Sequence, residues 1–410
     1  MNNTVNIKLI LNSKSLRLFL IGNCVSIIGS LITQTARSWL VYNLTGSAAW
    51  LGGIMFADQF STFILLPFAG VFADRWNRYR SILSTQILSM LVSFTTALLV
   101  LTGRIQPWEL LMLTFLQGCI NAFDLTIRQT FLTQLVKQPE YIGQVVSINT
   151  SIFGAARMIA PAIAGLLIAQ VGAGVCFAAD GVSFIVLLFA LISIKLPKQR
   201  PQLKEAEPFL HGLQEGFSYV VENFQIRMII ILLAIVSLVA ISSITTLLPV
   251  FATDILKGDS STLGFLSTAS GMGSLLAVVY VTTQTSLIRL SCLIAIAPFI
   301  SGAAVAVFGV SHNFWISLTA AFLIGFGVLL QHSTGNTLIQ TLVREEMRGR
   351  VSSIYIMAFN GMSTIGSLSS GLLSSQIGVV KTVLASGVLC LGTAIWFNSQ
   401  LPALQQRIKR

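Results

Sequence analysis

The chain is short of charge. Only 10% of its 410 residues are Asp, Glu, Lys or Arg, against 54% hydrophobic, whereas about a quarter of a water-soluble domain is charged. A soluble globular enzyme or binding module is thereby excluded. Histidine is scarce, with three residues, and the five cysteines, Cys24, Cys119, Cys176, Cys292 and Cys390, stand far apart in apolar runs with no metal-ligand spacing. They read as small packing residues, and no metal centre is expected. There is no His-Glu-x-x-His, no nucleophile elbow and no phosphate-binding loop, so neither a membrane enzyme nor an ATP-driven pump is indicated and no cofactor is expected. A soluble domain that would pass on a signal is also missing. The net charge of +11 would point to nucleic acid only if the basic residues gathered on one polar patch. They are scattered singly, so no nucleic-acid partner is expected.

What the chain has is apolar runs long enough to cross a bilayer. With a mean hydropathy of +0.82, it reads as an all-α integral membrane protein with twelve spans, at 16–44, 49–72, 81–102, 108–136, 143–170, 175–194, 226–253, 261–284, 287–309, 314–341, 350–376 and 379–401. An even number places both termini on one side. Nineteen of the 25 basic residues fall on that side, three on the other, and three, Arg37, Arg128 and Arg157, inside spans. The positive-inside rule therefore assigns the termini to the cytoplasm. The first span is too long for a signal-peptide core and carries Arg37, so it stays as a helix.

The sequence also repeats itself. Leu135-Val136-Lys137 recurs as Leu342-Val343-Arg344, 207 positions on, and after one deletion the offset becomes 206. Val145 then matches Val351, Ser147 matches Ser353, Phe153 matches Phe359, and Gly165-Leu166-Leu167 matches Gly371-Leu372-Leu373, with Gln170 and Gly172 meeting Gln376 and Gly378. An offset of half the chain with an even number of spans between copies gives two parallel six-helix halves. The expected domains are 1–195, a linker at 196–225, and 226–410. The linker opens with a charged, proline-bearing stretch and continues with Phe209, Leu213, Phe217, Val220 and Phe224 at helical spacing. It reads as an amphipathic helix on the cytoplasmic membrane surface that tethers the halves.

Between the second and third spans lies Gly70-Val71-Phe72-Ala73-Asp74-Arg75-Trp76-Asn77-Arg78-Tyr79-Arg80. This turn resembles the loop between the second and third helices of the major facilitator superfamily, with Asn77 where that family has a second glycine and Tyr79 where it has a basic residue. The resemblance implies that Gly70, Asp74, Arg75, Arg78 and Arg80 belong to a latch holding the cytoplasmic side shut. The second half has no such loop, but Arg344-Glu345-Glu346-Met347-Arg348-Gly349-Arg350 opens the eleventh span. Asp74 is expected to face the positive end of that helix, with Glu345 or Glu346 available to the arginines, so Arg348 and Arg350 join the gate.

Ionisable residues inside a span are costly and become functional candidates. Depth along the helices, at about 1.5 Å per residue, pairs Arg37 with Asp58 in the outer half. It also places Asp124 and Arg157 near mid-membrane on consecutive spans, with Arg128 one turn from Asp124 on the same face. Each pair serves either as a buried helix-orienting ion pair or as a contact for substrate or proton. Asp180, near the start of its span, reads as an interfacial cap. His332 is the one histidine in a span, and the repeat sets it beside the place of Asp124, which makes it a packing residue or a proton-coupling group. Gln129, Asn149, Gln331 and Asn360 are expected to line the pathway.

The fifth span, with Gly154 to Gly165 around Pro161, resembles the Gly-Pro motif of drug and proton antiporters, with alanines in place of most of its glycines. Trp39 to Ser47, Ala122-Phe123-Asp124 with Arg128-Gln129, and Arg348-Gly349-Arg350-Val351 further resemble the bacterial transmembrane secretion effector group across essentially the whole chain. That resemblance implies export from the cytoplasm, across a bacterial inner membrane and driven by the proton gradient, of a medium-sized amphiphile such as a siderophore or an antibiotic. From the residues alone, the chain is a two-half transporter with few pathway charges and a small-molecule substrate. One chain holds a complete pathway, so a monomer embedded in lipid is expected. An importer or facilitator of a small metabolite on the same fold is the alternative.

Overall fold

A computed structural model describes residues 13–136, 138–194, 209–284 and 286–409. Of residues 67, 70, 71, 73–75, 139, 209–213, 403, 404 and 407–409 it describes only the backbone. Every regular element among the described residues is helical. The first six helices are α1 (Lys14–Thr45), α2 (Ala48–Arg75), α3 (Arg78–Leu101), α4 (Pro107–Gln134), α5 (Ile142–Val171) and α6 (Ala173–Ile192). A shorter α7 (Phe209–Glu222) precedes α8 (Phe224–Ile255), α9 (Ser260–Thr282), α10 (Leu287–Val310), α11 (Phe314–Leu342), α12 (Arg348–Ile377) and α13 (Val379–Lys409).

Eleven of these helices are long and apolar enough to cross a membrane. Twelve spans were expected; the one outside that set is α12, thirty residues long. Its length suffices, but Ser352, Ser353, Ser363, Ser367, Ser369, Ser370, Ser374, Ser375 and Asn360 dilute its apolar content.

Helix α3 shows how such a bundle is built. It buries Ser81, Thr85, Gln86, Ser89, Ser93 and Thr96 and exposes Ile87, Leu88, Leu91 and Leu98. A helix in water would turn the other way. In lipid the apolar face needs no hiding, while polar groups need internal partners. This inward polar stripe supplies the ligands of both acids described below.

The chain forms two compact units. One comprises Met1–Leu40 with Phe60–Lys204, the other Val41–Gln59 with Glu205–Arg410. The division is not linear at 195 and 225: the end of α1, the turn at Gly46 and the start of α2 pack within the second unit. There the Tyr42 hydroxyl donates to the Asp254 carboxylate, and α2 and α12 cross where a Cβ on Gly52 would lie 2.7 Å from the Ser367 carbonyl and 3.0 Å from the Gly371 Cα. Only paired glycines allow backbones so close.

Within the first unit α3 packs on α4 and α6, and α5 on α6; within the second α10 packs on α11 and α13, and α12 on α13. The repeat extends to backbone detail. One turn of 3₁₀ helix, Pro139–Tyr141, precedes α5, and another, Glu345–Met347, precedes α12. Gly172 ends α5 at φ 85°, ψ 162°, and Gly378 ends α12 at φ 89°, ψ 153°. The cap N–H groups donate to Ile168 and Ser374 at 3.0 and 3.1 Å. This region of φ/ψ space is open almost only to glycine.

Helix α7 is the expected amphipathic segment, but what its sequence does not reveal is its support. Gly216 and Val220 are buried, a Cβ on Gly216 would sit 3.1 Å from Arg350 Cβ and Ile354 Cδ1, and Arg350 forms an ion pair with Glu215. Phe217 stays exposed. Residues 196–208 of the expected linker lie outside the described residues.

Candidate functional site

The centre of the first unit is Asp124, on α4 and 8% exposed. Its Oδ1 accepts from Thr85 Oγ1 at 2.9 Å and from Gln86 Nε2. Its Oδ2 lies 2.6 Å from an Arg128 terminal nitrogen, one helical turn on. The other terminal nitrogen of Arg128 donates to Asn23 Oδ1 at 2.6 Å, and Asn23 Nδ2 donates to Asn149 Oδ1 at 2.7 Å. The network thus ties α1, α3, α4 and α5 together through one neutralised pair. Charge-assisted bonds in a low-dielectric setting make it strong. Gln86 Oε1 and Arg128 Nε are buried without a hydrogen-bond partner among the described residues.

Here the structure corrects one expected pairing. Asp124 meets Arg128 and not Arg157, because its carboxylate is turned towards α3 and both oxygens are already engaged. Arg157, in the middle of α5, has no hydrogen bond or ion pair among the described residues. Gln129, next to Arg128, points to the exposed side of α4. Asn149 does enter the network. Asn23, Thr85 and Gln86 escaped sequence reasoning, although an amide inside an apolar span was a usable signal for Asn23 and Gln86.

Asp180 is a second correction. It is no interfacial cap: it lies within α6 at 3% exposure, with Ser93 Oγ donating to Oδ2 at 2.8 Å and Ser30 Oγ to Oδ1 at 3.3 Å. Arg37 on α1 acts on the same carboxylate through its charge. Arg37 also borders a cavity of about 10 Å³ with Thr33, Ser93, Thr96, Thr114 and Gln117, room for about one water. The residue expected to face Arg37, Asp58, is half-buried on α2 in the second unit.

In the second unit Gln331 on α11 is 1% exposed, and among the described residues neither its amide nitrogen nor its oxygen has a partner, nor does Thr334 Oγ1 next to it. His332 packs on the rings of Phe359 and Tyr355, with centroids 4.3 and 5.4 Å away, and its carbonyl accepts the Tyr355 hydroxyl at 2.6 Å. Asn360 is exposed, its carbonyl bonded to Thr364 Oγ1 at 2.7 Å.

Of the expected gate, Gly70, Asp74 and Arg75 have side chains outside the described residues. Asn77 caps α3, its Oδ1 accepting from the N–H groups of Tyr79 and Arg80 at 3.1 and 3.2 Å with φ at −68°. No positive φ is needed, which explains why a residue other than glycine serves there. Tyr79 reaches the Leu191 carbonyl at 3.3 Å and packs near Phe131, 6.5 Å between centroids. Arg78 is half-buried and Arg80 exposed. Arg350 is held by Glu215, and Arg348 Nε is buried without a partner.

A two-unit helical membrane protein with duplicated packing, buried polar networks inside its spans and close glycine crossings is a transporter of the major facilitator fold. A point variant of the nucleoside transporter NupG superposes with a TM-score of 0.74 at 14% identity, over 94% of this chain and 99% of that one. Residues 10–409 match the family described as transmembrane secretion effector, and the chain belongs to that family. Among similar proteins are the staphyloferrin A transporter of Staphylococcus aureus, 27% identical over 90% of this chain and 92% of the relative; macrolide efflux protein A of Streptococcus pyogenes, 23% over 91% and 93%; and the enterobactin exporter EntS of Escherichia coli, 22% over 93% and 91%.

Proposed function

We propose that the protein exports a medium-sized amphiphilic compound, siderophore-like or drug-like, in exchange for protons, by alternating access. It does so across a bacterial inner membrane, with both termini in the cytoplasm, as a monomer. Family membership and the export or efflux named for two of its relatives support the direction. The observation that carries the coupling is the buried Asp124–Arg128 pair and its bonds to four helices. A proton on Asp124 removes the partner charge of Arg128, which loosens Arg128 from Asp124 and, through Asn23, α1 from α4 and α5. Neutralising one side of a buried pair is unfavourable enough to bias a conformational equilibrium. Deprotonation restores the brace, so the two protonation states favour different packings of α1 against α4 and α5.

The test is uptake of fluorescent macrolide and catecholate probes into everted membrane vesicles, with and without a protonophore. Uptake that the protonophore abolishes, and that Asp124→Asn removes, is the expected outcome. Uptake by Asp124→Asn vesicles that equals wild type at every pH would return this acid to a structural role.

A further inference from the structure

The first unit carries three arginines inside its spans. Two face acids: Arg128 pairs with Asp124, and Arg37 acts on Asp180. The third, Arg157, has no partner among the described residues, and Asp124 is already engaged by Thr85, Gln86 and Arg128. An arginine near mid-membrane without a counter-charge is costly. Its surroundings say what offsets that cost.

Arg157 lies on one stripe of α5 with Thr150 and Phe153 before it and Ala160, Ala164 and Ile168 after it, the spacing of side chains along a single helix face. The later residues are buried, at 0, 0 and 7% exposure, whereas Phe153 is 45% exposed and Thr150 and Arg157 are exposed too. The stripe therefore changes from packed to open at Arg157. The opposite side of the helix carries Ile159, Ile163 and Leu166, all exposed, as suits lipid. Arg157 is itself exposed, on the face of α5 that buries Ala160, Ala164 and Ile168 and opposite the exposed aliphatic face. Its guanidinium is therefore accessible on the packed side of the helix and away from the face that suits acyl chains.

We propose that Arg157 is the recognition group for an anionic cargo, an amphiphilic organic carboxylate. The planar guanidinium offers two parallel donors that match a carboxylate, and a low-dielectric setting strengthens the pair. Phe153, one turn away, offers a ring to an aromatic or apolar body, and Thr150 a hydroxyl. One guanidinium suits a single carboxylate; a phosphate dianion calls for several basic groups together. This deepens the exporter reading by naming the class of its cargo and rests on that reading for its direction of transport, but ligand binding itself requires neither a direction nor an energy source.

The experiment uses the full-length purified protein in detergent with 2-naphthoate and 2-naphthamide, which share a ring system and differ in charge, and reads thermal stabilisation against concentration. Wild type should bind the carboxylate at least about tenfold more tightly than the amide, the lower bound for a hydrogen-bonded charge. Arg157→Gln should abolish the difference, and Arg157→Lys, which keeps the charge but not the fork, should retain part of it. Because Arg157 has no partner among the described residues, the Tm of unliganded Arg157→Gln should match or exceed wild type; a marked drop would reveal a protein partner and overturn the proposal. A wild type without charge discrimination, or discrimination that persists in Arg157→Gln, also overturns it. Discrimination without uptake of any probe into everted vesicles keeps the anion site and refutes the exporter reading. Vesicle uptake without discrimination does the reverse.

Discussion

The polar centre of α4 and the corresponding part of α11 occupy equivalent places in a duplicated unit, yet they are built in opposite ways. Asp124 and Gln331 stand 207 positions apart, the offset that also relates Leu135 to Leu342. Around Asp124 the carboxylate is saturated by a cation, an amide and a hydroxyl. Around Gln331 a neutral amide one methylene longer is more deeply buried and has no hydrogen-bond partner among the described residues. The backbones flanking α5 and α12 have stayed alike, in the 3₁₀ turns before them and the positive-φ glycines after them. Helix packing thus constrains backbone geometry more tightly than it constrains side-chain chemistry. The place on α4 holds a charged pair, and the corresponding place on α11 holds uncharged polar groups and a histidine.

The largest test removes the charge on one side only. Asp124→Asn leaves Arg128 buried without its counter-ion and should destabilise the protein by about 3–5 kcal/mol, read as a fall in Tm in detergent. Adding Arg128→Gln should recover part of that loss, and a double-mutant cycle measures how much. A fall of the same size for the double variant would mean that the two residues are not coupled. The next test asks whether the backbones are equivalent. Gly172→Ala and Gly378→Ala should each cost about 1–3 kcal/mol, and by similar amounts. A large inequality would show that one of the two turns has relaxed independently.

A smaller effect is expected from the amides, with opposite signs. Gln331→Leu removes a buried group that makes no hydrogen bond and should be neutral or stabilising by about 1 kcal/mol, whereas Gln86→Leu strips a donor from Asp124 and should lower Tm by a similar amount. Destabilisation by both would mean that Gln331 is satisfied in the membrane by a bound water or ligand. The smallest effect should come from Glu215→Ala. The Arg350–Glu215 pair is partly exposed, so its loss costs at most about 1 kcal/mol. It should raise amide hydrogen exchange within α7 and leave the helices of the first unit unchanged.

Much of this was legible in the sequence, because a membrane helix must close its own backbone hydrogen bonds over a fixed thickness. The expected spans differ from the helices by a few residues: 108–136 became Pro107–Gln134, and 287–309 became Leu287–Val310. The one boundary-level surprise was α7 and its seat on α12, since hydropathy reports an apolar face and not what covers it. The one-turn spacing of Asp124 and Arg128 was legible, whereas Asn149 was expected only to line the pathway and its link to Arg128 through Asn23 was not. Asp180 was misread because depth near a helix start says nothing about burial, and Ser30 and Ser93 come from helices far away in sequence.

By itself, then, the sequence determined the class, the order of the membrane helices and the duplication. These follow from composition, from the length of apolar runs and from an offset that survives divergence. Only the tertiary structure decided which polar groups meet. Rise per residue gives the depth of a side chain but not the helix it turns towards, so Asp124 and Arg157 share a depth without touching. The Val41–Gln59 hairpin likewise joins the second unit through close glycine crossings, and that approach depends on how helices distant in the chain come together.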